Sequence, residues 1–384
     1  MSATTKNVYH NLQLIILAVF TTFLIIEVLA RLFVWQWATP EQFLRYASYA
    51  QLKARYQVAR FISDRHLGYV TTPDYNWDGN RHNSLGFRGA EIVLPKPAGV
   101  YRIVCLGGST TYSDGVQDYA QSYPALLETY LRERGLANVD VVNAGVPGYT
   151  SLETLINLQT RVLDLEPDLI VVYHGINEVH ARLVWPPAAY RGDYSGFLRS
   201  PPFFAGPDLL EHSTALRILL VKQGLIEPHS SLTRIVPDAD TAYTRLFGRQ
   251  QSEGTYPAGI FREVPAQTML ATNKPEYFER NLRSIIASAR AHDLDVMLMT
   301  FAYSPAFPNE VVASPEYQHG LEEGNEVVKR VAAMTGTNLF DLAGLMPTDP
   351  IYYTDGVHFT GQGNEVRARL LGDFIHEQGL AGVE

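Results

Sequence analysis

Cysteine is nearly absent from this chain of 384 residues, because Cys105 is the only one. A single cysteine excludes an internal disulfide, and it leaves the redox compartment of the protein undetermined. Cys105 lies in an apolar run, which predicts a core residue rather than a reactive thiol. Runs rich in Lys or Arg are absent too, and the formal net charge is -9, so no nucleic-acid partner is expected.

Phosphate-binding motifs are missing from the glycine-rich stretch that follows Cys105. No lysine precedes Ser109 as a P-loop would require, and Gly107, Gly108 and Gly115 do not fit the pattern G-x-G-x-x-G. Clusters of His, Asp, Glu or Cys with metal-ligand spacing are not evident either. The sequence therefore predicts no nucleotide cofactor and no metal.

The N-terminal region contains a long apolar segment, 12–34, interrupted by few polar residues. As a helix, this segment reaches about 34 Å, enough to cross a hydrocarbon layer of about 30 Å. Glu27 and Arg31 lie one turn apart and are expected to pair, with Trp35 and Trp37 marking the membrane boundary. A cleaved signal peptide is the alternative, but no small-x-small site follows the run, which favours a retained anchor.

The chain is expected to have three parts. Residues 1–37 form a short stub and the transmembrane anchor, 38–98 a juxtamembrane helix and linker, and 99–384 the main domain. Apolar residues between Pro40 and Asp64 recur at loosely helical spacing, which predicts an amphipathic helix against the membrane or the main domain. Turn-forming residues crowd 71–97, where Arg88 is either a substrate contact or, as we favour, a structural residue.

Strands and helices alternate through the main domain. This order predicts an α/β fold, a three-layer α/β/α sandwich with a five-stranded parallel sheet. Each loop that follows a strand can then reach the same edge of the sheet. The predicted strands are Arg102–Leu106, Asn138–Val142, Asp168–Tyr173, Leu294–Phe301 and Asn338–Leu342, and the predicted helices are Ser122–Gly135, Ser151–Leu165, Glu276–Ala291, Glu322–Thr335 and Gly361–Gln378.

The alternation stops between residues 181 and 275, in a stretch rich in proline and aromatic residues. One amphipathic segment, Leu209–Leu225, is predicted to be helical. A long insertion after a strand-end loop is a candidate lid or substrate-recognition element. A packing appendage or a surface for a protein partner is the alternative.

Ser109 follows a predicted buried strand and two glycines, where a tight turn would expose its hydroxyl. Read alone, it is equally well a helix N-cap. Near the C-terminus, Asp355 precedes His358 by three residues, close enough in a turn to accept from Nδ1 and leave Nε2 free for Ser109. Taken by itself, this Asp-x-x-His pair is also compatible with metal ligation or an ordinary surface loop.

Four short blocks occur in order along the main domain. They are Gly107-Gly-Ser-Thr110, Asn143-Ala-Gly-Val-Pro-Gly148, Gly175-Ile-Asn-Glu178 and Asp355-Gly-Val-His358. Together they resemble the four motif blocks of the SGNH hydrolases, also called GDSL esterases and lipases, over about 101–181 and 276–378. The resemblance implies the flavodoxin-like fold of that family.

The resemblance also implies the roles of single residues. Ser109 would be the nucleophile, His358 the base and Asp355 the residue that orients the base. The backbone N–H groups of Ser109 and Gly148 and the side-chain amide of Asn177 would form the oxyanion hole. In two places this chain departs from the family pattern: Gly108 stands where the family often has Asp, and Glu178 stands where Asp often follows the Asn.

The expected function is a membrane-anchored serine esterase that cleaves an O-acyl ester of an envelope glycan, a lipid or a small molecule. An O-acyltransferase that modifies a cell-envelope polysaccharide and a non-catalytic protein that binds a partner through 181–275 are the alternatives. Lys6 lies on one side of the anchor and Arg31, Arg45 and Lys53 on the other, so basic residues do not favour an outward domain. An extracytoplasmic main domain is expected from the resemblance alone.

Overall fold

The computed structural model describes residues 3–48, 51–52, 55, 60–193, 209–226, 228, 264–307 and 311–380. The chain separates into two compact units, an N-terminal unit from 1–68 with 203–239 and a sheet unit from 69–202 with 240–384. The helices are α1 (Ala3–Leu32), α2 (Pro40–Tyr46), α3 (Ser109–Tyr112), α4 (Tyr123–Glu133), α5 (Ser151–Asn157), α6 (Ile176–Ala181), α7 (Leu209–His212), α8 (Thr214–Lys222), α9 (Ala266–Thr272), α10 (Glu276–Arg290), α11 (Pro315–Thr335), α12 (Leu342–Leu345) and α13 (Gly361–Glu377).

The sheet unit is built on five parallel strands in the order β2-β1-β3-β4-β5. This order is that of flavodoxin-like sheets, so the predicted fold class is confirmed. All five predicted strands are confirmed as well, with ends that differ by a few residues. The strands are β1 (Tyr101–Gly107), β2 (Val139–Gly145), β3 (Leu169–Tyr173), β4 (Asp295–Met299) and β5 (Asn338–Phe340).

Strand β1 is buried on both faces because helices cover both sides of the sheet. Ile103 and Cys105 belong to the core on the side of α4 and α13, and Val104 and Leu106 to the core on the side of α10. Alternate residues of a strand point to opposite faces, so a central parallel strand reads as an uninterrupted apolar run. Burial raises the pKa of the Cys105 thiol to about 11, which agrees with its predicted place in the core.

The N-terminal unit joins α1 to part of the insertion. Arg31 Nε donates to Glu27 Oε1 at 2.7 Å, which confirms the predicted pair. The Glu27 carboxylate also accepts from the backbone N–H groups of Thr214 (2.9 Å) and Ala215 (3.1 Å) at the start of α8. Among the described residues, Tyr9–Trp37 is the helical segment long and apolar enough to cross a membrane, and a signal sequence has the same properties.

The stretch between α1 and β1 is only partly helical. The predicted amphipathic helix is confirmed for Pro40–Tyr46, which begins with a capping box between Thr39 and Gln42. Phe61–Asp64 is instead a short strand, and further short strands are Gly68–Thr71, Asn76–Trp77 and Asn80–Arg81. Parts of the predicted helix, at 49–50, 53–54 and 56–59, lie outside the described residues.

The insertion predicted at 181–275 falls into both units. Residues 194–208, 227 and 229–263 lie outside the described residues. The predicted helix over Leu209–Leu225 is confirmed as two pieces, α7 and α8, which belong to the N-terminal unit. The two ends of the insertion pack in the sheet unit, where the rings of Tyr190 and Tyr277 meet edge to face with centroids 4.8 Å apart.

Candidate active site

Ser109 is the first residue of α3, directly after the carboxyl end of β1. The chain passes from β1 to its neighbour β2 on one side, and from β2 it crosses to β3 on the other side of β1, so the direction of strand order reverses beside β1. Open α/β sheets bind ligands in the crevice at such a point, outside the carboxyl ends of the strands. The hydroxyl of Ser109 therefore lies where this fold places its reacting groups.

His358 joins Ser109 to Asp355 through two hydrogen bonds. Asp355 Oδ2 lies 2.6 Å from His358 Nδ1, and His358 Nε2 lies 2.7 Å from Ser109 Oγ. An ionised carboxylate can only accept, so Nδ1 carries the proton and Nε2 is left to accept from the Ser109 hydroxyl. This tautomer suits a base that takes the serine proton.

The turn from Thr354 to His358 is braced on both sides. Thr354 N donates to His358 O at 2.8 Å, which closes the turn. Ser304 N, in the loop that follows β4, donates to Gly356 O at 2.8 Å. Two strand-end loops thus contribute to the position of the imidazole, although His358 is 249 residues from Ser109 along the chain.

Opposing influences act on the Asp355 carboxyl group. Burial by itself raises its pKa, but the charge and hydrogen bond of His358, with the backbone N–H groups of His358 and Val357, lower the pKa to about 2. Asp355 is therefore ionised at neutral pH and keeps its attraction for a protonated imidazole.

Gly148 and Asn177 follow β2 and β3. Gly148 has φ of 86°, a left-handed conformation that glycine adopts without strain. Asn177 lies in the first turn of α6, and its Nδ2 donates to Tyr149 O at 2.8 Å. Because Tyr149 is the neighbour of Gly148, this bond holds the loop after β2 against the loop after β3.

Gly108 is the point where these two loops meet the turn that carries Ser109. A Cβ atom at Gly108 would lie 2.5 Å from Asn177 Nδ2 and 3.2 Å from Tyr149 O. Real Cβ atoms do not approach a nitrogen so closely, so a larger residue here would displace the Asn177 amide. The departure from the family pattern at position 108 thus has a local structural reason.

Arg88 and Tyr69 support the site from the segment that precedes β1. Arg88 is buried, and its guanidinium donates to the backbone carbonyls of Tyr112 at 2.6 Å and Ser113 at 2.8 Å, just after α3. The structural role that we favoured for Arg88 is confirmed. Tyr69 Oη donates to Pro147 O at 2.7 Å, beside Gly148. This hydrogen bond from Tyr69 could not be predicted, because a tyrosine in a turn-rich segment carries no local signal of its partner.

Arg367 is a second buried arginine near Ser109. Its Nη1 donates to Thr110 O at 2.9 Å, and its guanidinium lies 3.5 Å from the centroid of the Tyr123 ring and 4.0 Å from that of Tyr173. A fully buried arginine is rare unless its charge is compensated, and here aromatic faces surround it. Sequence reasoning missed this residue, since a lone arginine in a helix usually points to solvent.

Glu178 lies next to Asn177 and is nearly fully buried. Its Oε1 accepts from the backbone N–H of Ser151 at 2.5 Å, at the start of α5. Burial raises the pKa of Glu178 to about 8, and the nearby carboxyl of Glu153 acts in the same direction. Asn177 and Glu178 therefore bond to Tyr149 and Ser151, the residues on either side of Thr150.

Metal ligation receives no geometric support in the part of the chain that the structure describes. There, no group of three or more His, Cys, Asp or Glu side chains is arranged to hold an ion. The polar groups around Ser109 instead form a donor and acceptor relay suited to proton transfer and acyl transfer.

Comparison with protein families gives one match to the chain. The family model of the GDSL-like lipase/acylhydrolase family matches residues 105–366, which include Ser109, Gly148, Asn177, Asp355 and His358. No curated protein sequence matches the chain.

Several solved structures resemble the chain at low sequence identity. A lipase/acylhydrolase from Enterococcus faecalis is 19% identical, with 73% of this chain and 97% of that chain covered and a TM-score of 0.43. A catalytic mutant of an acetylxylan esterase from Geobacillus stearothermophilus is 16% identical, with 75% and 97% covered and a TM-score of 0.43. A GDSL-like lipase from Bacteroides thetaiotaomicron is 15% identical, with 74% and 93% covered and a TM-score of 0.41.

Proposed function

Because this chain belongs to the GDSL-like lipase/acylhydrolase family, we propose that it is a membrane-anchored serine esterase that cleaves an O-acyl ester. Membership of the family makes it a hydrolase. The observation that best supports the finer proposal is the pair of short hydrogen bonds from Asp355 through His358 to Ser109. An envelope glycan, a lipid or a small ester is the proposed substrate class.

The reaction that this relay supports proceeds through an acyl-enzyme. Ser109 Oγ attacks the ester carbonyl while His358 Nε2 takes its proton, and Asp355 stabilises the imidazolium. The proposed oxyanion donors are the backbone N–H groups of Ser109 and Gly148 and the Asn177 amide. His358 then protonates the leaving alcohol, and a water molecule activated by the same imidazole releases the acid.

The packing of α1 supports a retained anchor. Glu27 accepts from two backbone N–H groups of α8, and Arg31 Nη2 donates to His212 O at 2.7 Å. Cleavage of α1 as a signal peptide would remove these partners from α8 and would uncover the apolar residues that pack beside it. We further propose that the sheet unit lies outside the cytoplasm, as the family resemblance suggests.

The proposal is tested by labelling the full-length protein in detergent with a fluorophosphonate probe and mapping the modified residue. We expect label on Ser109, and we expect S109A to lose both labelling and hydrolysis of p-nitrophenyl acetate with an unchanged circular dichroism spectrum. Ser284→Ala, a change at a partly exposed serine of α10, is the matched control and should retain both activities.

Retained hydrolysis in S109A would contradict the proposed nucleophile. The same preparation, given an acyl donor and a glycan, separates hydrolysis from transfer by mass spectrometry. Accumulation of acylated glycan in place of free acid would identify the protein as an acyltransferase.

A further inference from the structure

We propose that α8 and the turn after it, 223–226, form a second membrane contact, whose exposed apolar face lies in the lipid beside the anchor. The α8 face is the name used here for the exposed and half-buried surface of 214–226. This inference rests on the proposed anchor and concerns only the N-terminal unit. It assigns to this part of the insertion a role in lipid contact rather than in covering the active site.

The α8 face is apolar to a degree unusual for a helix exposed to water. Leu219 and Leu225 are 53% and 67% exposed, and Leu216, Ile218 and Leu220 are half-buried. Helices of water-soluble proteins normally turn charged residues outward and apolar residues inward. A surface composed mainly of leucine and isoleucine instead matches the composition of a lipid-facing helix.

The charged residues of α8 are placed as a lipid environment requires. Arg217 is fully buried within the unit, where its Nε donates to Ala47 O at 3.1 Å. Lys222, at the C-terminal end of α8, is exposed and lies 6.0 Å from the centroid of the Tyr46 ring. One cation is thus turned into the protein, and the other is at the end of the helix, from which a lysine reaches a headgroup.

The N-terminus of α8 carries its own hydrogen-bond partners. Its first two N–H groups donate to Glu27, and Leu216 N donates to Ser213 Oγ at 3.3 Å. In water such groups can be left to solvent, but in hydrocarbon each one needs a partner within the protein. The same bonds explain an acidic residue in a membrane helix, since intramembrane carboxylates pair with neighbouring polar groups.

Packing places α8 beside the last turns of the anchor. Its N-terminal end is bonded to Glu27, while Val221 near its other end shares one apolar cluster with Val34 and Phe43. The helix thus covers part of the stretch between Glu27 and the exposed tryptophans, Trp35 and Trp37, which suit a membrane–water boundary.

Continuity of surface identifies the lipid bilayer as the partner. The neighbouring residues of α1, such as Ile25, Ile26 and Leu29, are at least half exposed. The α8 face packs beside this apolar surface, and the Glu27–Arg31 pair bonds the two helices where they meet. If the last turns of the anchor lie in hydrocarbon, the α8 face is at a similar depth, because α8 begins at the level of Glu27 and packs beside those turns.

The experiment places a fluorescent bimane at single introduced cysteines in the full-length protein, reconstituted in phosphatidylcholine vesicles. L219C and L225C report on the α8 face, Leu24→Cys on the exposed face of the anchor, and Met334→Cys on an exposed position of the sheet unit. The unmodified chain, in which Cys105 is buried, gives the background. Emission is measured with brominated phosphatidylcholine and, separately, with aqueous iodide.

We expect both α8 probes to lose most of their emission to the brominated lipid and little to iodide, as at position 24, with the reverse at position 334. Quenching of both α8 probes by iodide alone, with position 24 still quenched by lipid, would overturn this inference and leave the anchor intact. Shielding of both probes from either quencher would overturn it in favour of a second copy of the chain. Quenching of position 24 by iodide would instead refute the anchor itself.

Discussion

Two of the histidine–carboxyl pairs in the sheet unit lie in environments that differ sharply. Between His358 and Asp355 the distance from Nδ1 to Oδ2 is 2.6 Å, and the side chains are 20% and 35% exposed. Between His174 and Glu178 the distance from Nδ1 to Oε1 is 3.9 Å, and the side chains are 1% and 5% exposed. Each pair lies in or beside a motif block of the family, so sequence alone does not separate them.

The difference shows that a charged partner, rather than burial alone, sets the protonation state of these carboxyl groups. Burial lowers the pKa of His174 to about 3, so this imidazole stays neutral and cannot hold Glu178 ionised. Glu178 is left with a raised pKa of about 8, whereas the His358 charge helps to bring the pKa of Asp355 to about 2. One pair forms the proposed proton relay to Ser109, and the other is a neutral pair that bonds Ser151 and Thr154 of α5.

Replacing Asp355 by Asn is expected to have the largest effect, because it removes the charge from the first pair and keeps its size. An amide at this position favours the tautomer that donates from Nε2, so we expect kcat to fall by about 10⁴-fold. Rates of p-nitrophenyl acetate hydrolysis by the full-length protein measure the loss. The control is Asp373→Asn, a change at a carboxylate that pairs with Arg134 on the surface. A kcat near that of the wild type would refute the proposed role of Asp355.

Asn177→Ala tests the residue that precedes Glu178, the carboxyl member of the second pair. Loss of one oxyanion donor typically lowers kcat by about 10²–10³-fold, and we expect KM to change little. The matched control is Asn338→Ala, which alters an asparagine at the amino-terminal edge of the sheet. A rise in KM with unchanged kcat would show that Asn177 binds substrate without stabilising the oxyanion.

Glu178→Gln is expected to have the smallest effect on catalysis and a distinctive effect on stability. A raised folded-state pKa contributes stability that is complete below the ordinary value of 4.5 and lost as pH rises through about 8. The melting temperature of the wild type in detergent should therefore fall more than that of E178Q between pH 5 and pH 8.5. Glu153, Arg182 and Tyr190 also interact electrostatically with the Glu178 carboxyl group, and all three are present in both the wild type and E178Q.

The contribution of Asp355 to stability depends on pH in the opposite direction to that of Glu178. Its lowered pKa contributes stability that is present above the ordinary value of 3.8 and lost as pH falls through about 2. The D355N variant should therefore lose less stability than the wild type on acidification.

Equal pH dependence of E178Q and the wild type would show that Glu178 is already ionised in the folded state at neutral pH.

Much of the fold could be predicted because its strands can be recognised from short stretches of sequence. Strand β1 is an apolar run, since both of its faces are buried, and the glycines and serine after it mark a turn. The helix predicted over Ser151–Leu165 is helical throughout, but only its first part, Ser151–Asn157, is an α-helix, and Leu163–Leu165 is a 3₁₀ turn. The residues between these two parts, Leu158–Val162, form a π-helical turn, which the pattern of apolar residues does not distinguish from an α-helical turn.

The sequence by itself determined the apolar N-terminal helix, the order of strands and helices, and the residue types needed for acyl transfer, because these depend on local composition and spacing. Only the tertiary structure decided which groups meet. Ser151 and Glu178 are 27 residues apart, Glu27 and Thr214 are 187 residues apart, and neither member of either pair signals the other locally. Such contacts follow from how the whole chain packs, since burial and charge depend on neighbours that are distant in sequence.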